Sequence, residues 1–345
     1  MLQLAQIESD ASIAYLEYYA GFARKYEGEI IQSDDPTEQI YLHRLPLGVS
    51  VGICPWNFPI IIMMRKIAPA LLTGCTVVVK VSEQTPITSF KITKMLNDAG
   101  VPPGVVNVVT GEGGTIGQAL VESSVPGIIS MTGSVAAGQS IMKAASENLT
   151  KVNLELGGKA PVVVMGDCDI DLAVETTWAS RVIYSGQVCN CAERVYVQDS
   201  IADEFTEKLV AKMAGTKVGF PDTGADMCGL ANPAQLKKVA GMVERAQANG
   251  AEVFTGGNIK NDMPAYHFEP TVLTNVNQSD EIVQQEVFGL VLPVMTFNDL
   301  DEALALANDC EYGLTSSIFT NDANTVHKAM AAFKFGETYI NRSHL

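Results

Sequence analysis

The chain has 345 residues, 47% hydrophobic and 18% charged, with 29 Gly and 15 Pro, a make-up that excludes a disordered or fibrous protein. Its length corresponds to about two domains. A formal charge of −16 argues against a nucleic-acid partner, because such binding draws on Lys and Arg neutralising phosphates.

Taken in chain order, Leu4 to Arg24 carries apolar residues at helical spacing. Gly28 to Leu47 alternates as a hairpin would, with Asp34-Asp35-Pro36 at its turn. Gly48 to Cys54 reads as a buried strand, Trp56-Asn57-Phe58-Pro59 as a loop, and Ile61 to Leu72 as a helix. The β-branched run Thr76 to Val81 follows, then Ser82-Glu83-Gln84-Thr85-Pro86, a helix to Ala99 and a strand at Val105 to Thr110. Gly111-Glu112-Gly113-Gly114 opens a helix to Val121, Gly127 to Met131 is a strand, and Gly133 to Gly138 leads into a helix at Gln139 to Glu147. Strands alternating with helices imply a doubly wound parallel sheet. A second series starts at Lys151 to Glu155 and Pro161 to Met165 and runs to Tyr339-Ile340, with the domain boundary near Gly157-Gly158. The expected domains are therefore 1–156 and 157–345.

The longest apolar run, Phe58 to Met64, ends at Arg65-Lys66, far short of the about 20 residues that span a bilayer. No membrane partner is expected. Seven Cys, an odd number without disulfide-framework spacing, read as thiols of a cytoplasmic protein, and Met1 to Ala5 carries no secretory pattern. Cys189 and Cys191 lack a second pair at zinc-ligand spacing, so no metal is expected.

Several residues could carry chemistry. Gly133-Ser134 joins a strand to a helix N-terminus, whose free N–H groups favour a phosphate, although glycine turns also serve packing. Lys80, Ser82 and Glu83 lie just past a strand's C-terminal end, where open α/β sheets bind ligands; they equally suit a solvated surface pair. A carboxylate there holds ribose hydroxyls and repels a 2′-phosphate, so Glu83 favours NAD over NADP. Cys189 follows a glycine-containing turn, as a nucleophile or as a small buried hydrophobe. For a Cys–His hydrolase, none of His43, His267, His327 and His344 has a matching local signature. Glu155, between Leu154 and Leu156, is a candidate general base if those neighbours bury it and raise its pKa, or else a buried acid paired with a Lys.

Together, Pro55-Trp56-Asn57-Phe58-Pro59, Lys80-Val81-Ser82-Glu83, Thr132-Gly133-Ser134, Leu154-Glu155-Leu156-Gly157-Gly158-Lys159, Gly186-Gln187-Val188-Cys189 and Glu286-Val287-Phe288-Gly289 resemble the aldehyde dehydrogenase superfamily, in family order along the chain. Within it, Asn190 to Val197 and Lys334 to Asn341 look closest to the bacterial lactaldehyde and glycolaldehyde dehydrogenases. The resemblance implies an α/β fold of two Rossmann-like doubly wound parallel-sheet domains plus a small oligomerisation hairpin at 28–47, and a homodimer or homotetramer. It implies NAD-dependent oxidation of a small aldehyde, with Cys189 as nucleophile, Asn57 in the oxyanion site and Glu155 as base for thioester hydrolysis. It places the cofactor at Ile53, Trp56, Lys80, Ser82, Glu83, Gly113, Gly117, Gly133, Ser134, Leu156, Glu286 and Phe288. Arg65 and Asn190 are candidates for contact with a polar substrate, and Arg65 equally suits a surface cation.

Three positions depart from the family pattern. Val81 and Leu290 stand where Pro is usual and Met131 where an aromatic is common, changes expected to loosen the cofactor loops. The family also has a longer stretch before this start and a tail after Asn341. The alternative expectation is accordingly a truncated, inactive chain with only a binding or structural role.

Overall fold

The computed structural model describes residues 2–342 and 344. Contacts cluster into two compact units. One runs from Gln3 to Leu156, and the other takes Leu2 and the described residues from Gly157 onward.

In the first unit, β1 (Glu29–Gln32) and β2 (Gln39–Leu42) form the hairpin, with every residue of both strands exposed. A two-stranded sheet of this kind is marginal alone. The remaining strands are β3 (Val49–Ile53), β4 (Thr76–Val81), β5 (Val106–Thr110), β6 (Pro126–Thr132) and β7 (Lys151–Glu155). They form one parallel sheet in the order β5-β4-β3-β6-β7. The run Thr76-Val77-Val78-Val79 is β-branched, as suits a strand covered on both faces by crossover helices. Because β4 and β5 extend the sheet on one side of β3 and β6 and β7 on the other, chain direction switches between β3 and β6. Parallel sheets bind ligands beyond the carboxyl ends of the strands at such a switch.

The first helix runs over Leu2–Ala20 and stops four residues short of Arg24, and two boundaries at glycine-rich turns also differ from expectation. The helix after β6 starts at Val135, four residues before Gln139, because Ser134 Oγ accepts the Ala137 N–H and caps it there. The glycine-rich stretch after β5 is a wide π turn, Gly113–Gly117, before a short helix at Gln118–Glu122. Glycines resist regular helix, and Gly111 has φ 150°.

In the second unit the strands are β8 (Ala160–Val164), β9 (Ala192–Gln198), β10 (Glu252–Thr255), β11 (Thr271–Thr274), β12 (Val291–Phe297), β13 (Thr315–Phe319) and β14 (Glu337–Ile340). Their order is β10-β11-β12-β9-β8-β13-β14, parallel except for β10, which pairs antiparallel with β11 at the edge. The expected parallel sheet thus carries one antiparallel edge strand. A single edge strand can pair either way, because only one neighbour constrains it. Val162, Val164, Val195, Val197, Leu292 and Phe205 build the core between this sheet and the helix Ala202–Ala214. Among the described residues no helix is long and apolar enough to cross a membrane.

Leu292 on β12 is fully buried in that core. Leu292→Ala is expected to cost about 2–5 kcal/mol of stability through lost burial and the cavity left behind, measured by urea unfolding.

Candidate active site

In the first unit, the candidate cofactor residues gather at the carboxyl edge of the sheet. β3 ends at Ile53, and the Cys54 N–H donates to Lys80 O (3.0 Å), which holds the start of the Trp56-Asn57 loop beside the end of β4. Thr85 Oγ1 donates to Trp56 O (3.3 Å) from the other side. Asn57 is buried and Trp56 half-buried. The buried Lys80 ammonium donates to Glu83 Oε2 (3.0 Å), while Glu83 itself remains exposed. Burial works against the Glu83 carboxylate, but its own N–H and Lys80 outweigh that and hold its pKa below the ordinary value. Ser82 is buried, and its Oγ accepts the Gln84 N–H (3.2 Å).

Ser134 starts its helix at the carboxyl end of β6, across the switch from Trp56 and Asn57. A Cβ at Gly113, Gly114 or Gly117 would meet nothing within 4 Å, so open space lies against this backbone. An exposed carboxylate backed by a buried ammonium, a capped helix N-terminus and open glycine backbone at one sheet edge fit a dinucleotide.

Glu155 ends the edge strand β7 and is exposed. The burial expected from Leu154 and Leu156 is absent. Side chains alternate along a strand, so its two leucine neighbours point to the opposite face. Leu156 instead packs toward the preceding helix, Val135–Ser146, where a Cβ on Gly138 would lie 2.6 Å from its Cδ2. Arg65 is exposed and lies 5.9 Å from the centre of the Tyr15 ring, a cation–π contact rather than a side chain extended into solvent. Lys66, which the motif reading passed over, is buried and donates to Thr132 Oγ1 (3.0 Å) and Ser130 Oγ (3.3 Å). Burial pushes its pKa down.

In the second unit the candidate residues sit at the opposite kind of edge. Gly158 precedes β8, Cys189 precedes β9 and Glu286 precedes β12, all at the amino ends of parallel strands. Cys189 is half-buried and follows three consecutive left-handed residues, Tyr184 (φ 48°), Ser185 (φ 58°) and Gly186 (φ 75°). A turn of this kind persists only where its surroundings fix it. Ser185 Oγ does part of that, donating to Cys228 O (2.7 Å) and accepting from Cys228 N (3.1 Å).

Gly158 joins the two candidate groups. Its N–H donates to Glu286 Oε1 (2.9 Å), and a Cβ on it would lie 2.1 Å from Cys189 O. At Gly157 a Cβ would meet Glu286 Oε2 at 2.6 Å. Only glycine lets Glu286 and the Cys189 backbone approach this segment so closely. Phe288 is half-buried with φ 55°, and Gln235 Nε2 donates to Phe288 O (2.7 Å) and Val287 O (3.2 Å).

Beneath both loops lies a buried ionic cluster that motif reading did not single out. Glu193 accepts from Lys159 Nζ (2.8 Å), Arg181 Nη1 (2.8 Å), Val287 N (3.0 Å) and Phe288 N (3.1 Å). Burial opposes its charge, but Arg181 and Lys159 more than offset this and keep its pKa below the ordinary value. Lys159 is pushed down chiefly by burial, with a smaller contribution from Arg181 and Arg194, against the pull of Glu193. The available signal was Lys159 just before the apolar strand β8, and the adjacent Glu193-Arg194 charges inside the buried strand β9.

Cys191 is fully buried, and burial pushes its thiol to about 12, so it stays protonated. Asn190 Nδ2 donates to His344 O (2.9 Å), which engages this candidate substrate amide with backbone. Buried His344 contacts Ser180 Oγ through Nδ1 (3.2 Å), and buried His267 contacts Gly219 O through Nε2 (3.2 Å). Val81, Met131 and Leu290 are all buried core side chains, so the loosening expected of them is countered by packing. A cavity of about 740 Å³ near Phe254, Met295 and Glu302 includes none of the candidate residues, so volume does not locate the chemistry here.

The sequence matches the aldehyde dehydrogenase family over residues 1–345. The chain belongs to that family. Lactaldehyde dehydrogenase of Escherichia coli is 50% identical to this aldehyde dehydrogenase over 344 residues, 99% of this chain and 72% of that protein. Its crystal structure superposes with a TM-score of 0.98 at 49% identity, covering 100% of this chain and 72% of the other. A D-glyceraldehyde dehydrogenase (NADP(+)) of Picrophilus torridus is 38% identical over 98% of this chain and 69% of that protein. The structure of betaine aldehyde dehydrogenase from Staphylococcus aureus in complex with NAD+ has a TM-score of 0.96 at 36% identity, covering 98% and 68%. The family's chemistry is NAD(P)-dependent aldehyde oxidation, so this aldehyde dehydrogenase is an oxidoreductase of that class.

Glu286 gives a pH test of its surroundings. Burial, then the Glu193 charge, raise its pKa from 4.5 to about 7, against the pull of the Gly158 N–H. Between those values the unfolded chain has released a proton that the folded chain keeps. This site's contribution is therefore most favourable below about pH 4.5 and declines as pH rises through about 7, by up to about 3 kcal/mol. Glu286→Gln is expected to remove that decline. Urea unfolding of both proteins at about pH 5 and about pH 8 should show the variant gaining about 2–3 kcal/mol on wild type at the higher pH.

Proposed function

We propose that this chain oxidises a small polar aldehyde, lactaldehyde or glycolaldehyde, to its carboxylic acid with NAD, through a covalent intermediate on Cys189. The observation that carries the reading is the meeting of Cys189 and Glu286 over Gly158, in a chain that keeps the family's motifs in order. Half-identity to a lactaldehyde dehydrogenase supports the substrate class.

In this reading the Cys189 thiolate adds to the aldehyde carbon, and the C=O electron pair moves onto oxygen. The Asn57 side-chain amide and the Cys189 backbone N–H hold that oxyanion. When NAD is bound, its nicotinamide supplies the acceptor for the hydride that leaves the thiohemiacetal carbon. Glu155 then takes a proton from water as the water oxygen adds to the thioester carbon, and Cys189 departs as the thiolate. Exposure of Glu155 suits a base that must reach water. Of the neighbouring thiols, half-buried Cys189 suits nucleophilic attack, whereas Cys191 is buried and held protonated.

Cofactor roles follow the same reading. Lys80 and Glu83 hold the adenosine ribose, with Ser82 shaping that loop. Ile53, Trp56, Gly133 and Ser134 flank the pyrophosphate, Gly113 and Gly117 leave room beside it, Leu156 borders the nicotinamide, and Glu286 with Phe288 holds the nicotinamide ribose. The hairpin's fully exposed strands support a role in a homodimer or homotetramer. Seven reduced thiols fit a reducing compartment such as the cytoplasm.

Two measurements test the reading. NADH absorbance with NAD and glycolaldehyde should appear with wild type and fall about a thousandfold or more in Cys189→Ala; no NADH from folded wild type would overturn it. Glu83→Gln should raise kcat/KM for NADP relative to NAD by about tenfold or more, because it removes a charge that repels the 2′-phosphate. An unchanged ratio would take discrimination away from Glu83.

A further inference from the structure

We infer that Arg181 and Glu193 are positioning residues that lock the Cys189 turn to the Glu286 loop, so that one buried ion pair sets both the nucleophile and the ribose-binding carboxylate. The inference rests on the roles proposed above for Cys189 and Glu286. Arg181 lies outside the segments that carry the family resemblance, and Glu193 lies within one of them, Asn190 to Val197, without a role assigned by it.

Arg181 ends the helix Ile170–Val182 and is fully buried. Its Nη2 donates to Gly186 O (2.8 Å), inside the left-handed turn before Cys189, and also to Gly289 O at the end of the Glu286 loop. Its Nη1 donates to Glu193 Oε1 (2.8 Å) and to Ala192 O (2.6 Å), just after Cys191. Glu193 completes the clamp by accepting Val287 N and Phe288 N from the Glu286 loop. One guanidinium therefore spans both loops, and its partner carboxylate holds the second loop again by its backbone.

The geometry is specific to these residue types. A planar fork of fixed donors can serve several acceptors at once, which an ammonium on a flexible stem cannot reproduce. The loops also approach closely, since a Cβ on Gly186 would lie 2.4 Å from Gly289 O. Both carry residues in the left-handed region, Tyr184 and Ser185 in one and Phe288 in the other. Such conformations relax when their restraints are removed. Loosening either loop should therefore move the other.

The experiment compares wild type with Glu193→Gln and Arg181→Lys. Iodoacetamide alkylation of each thiol is followed by peptide mass mapping, with half-buried Cys168 and Cys310 as internal references. NAD dissociation is measured by calorimetry on the same samples. Expected in each variant are Cys189 alkylation about fivefold or more faster relative to Cys168 and Cys310, and NAD binding about fivefold or more weaker. A lower Tm with unchanged alkylation ratio and unchanged NAD affinity would overturn the clamp and leave the pair a packing device.

Should the buried variants not fold, Gln235→Ala decides the matter. Gln235 is half-buried and holds only the Glu286 loop among these two, through the Val287 and Phe288 carbonyls. Weaker NAD binding with about twofold or more faster Cys189 alkylation would support the coupling. Weaker NAD binding with unchanged alkylation would overturn it. NADH formation and its loss in Cys189→Ala judge the underlying reading separately, because alkylation and binding do not require turnover.

Discussion

The second unit depends on how Glu193 is kept charged inside a protein core. Withdrawing a carboxylate from water costs several kcal/mol unless donors replace the lost solvent. Here Lys159, Arg181 and the Val287 and Phe288 amides supply them. The four donors come from three pieces of chain: the entry to β8, the helix before the Cys189 turn, and the Glu286 loop, which supplies two. The charge is satisfied only when all three are in place, so electrostatics and loop placement are one constraint. Taking away any partner would leave an uncompensated buried charge, a far larger penalty than the loss of one surface pair.

The two units place their candidate residues at opposite kinds of strand end. In the first, Trp56, Glu83 and Ser134 follow their strands and Lys80 stands next to the last residue of β4, at the carboxyl edge where a doubly wound sheet opens at its switch. In the second, Gly158, Cys189 and Glu286 precede theirs. A loop that leads into a strand gains no helix N-terminus to orient it. Its carbonyls and amides must be held by side chains, and Arg181 and Glu193 do so. The absence of a helix end at Cys189 and the presence of a buried ion pair beneath it are thus two aspects of one solution.

Much of this was legible because the local signals were chemically strong. The valine runs at Thr76–Val81 and Ala160–Val164 point to buried strands, and the Ser82-Glu83 segment and the Gly-Gly step before Lys159 took their meaning from the motifs around them. Glu155 was misread through its neighbours, since flanking leucines imply burial in a helix or loop but not in a strand, where they face away. The joint role of Arg181 and Glu193 was hidden for a different reason. A charged residue near a helix end or early in a strand usually faces water, and the contacts that tie these two to the Glu286 loop reach about 100 residues along the chain, to Gly289 from Arg181 and to Phe288 from Glu193. No local pattern encodes a contact of that range.

Two carboxylates in this region illustrate how environment divides one chemistry into two behaviours. Glu193 is the more deeply buried, yet two cations hold it ionised. Glu286 forms no such ion pair among the described residues, and burial, then the Glu193 charge, push it up to about 7 against the pull of the Gly158 N–H. Paired acids with separated affinities for the proton are a recurrent way of assigning fixed and exchangeable charge within one site. The fixed charge here belongs to the group that positions backbone. The exchangeable one belongs to the group proposed to hold the nicotinamide ribose, whose grip then depends on a proton taken up or released near neutral pH. Because Glu193 helps set that proton's affinity while also holding the loop that carries Glu286, the geometry and the titration of the proposed ribose site share a single cause.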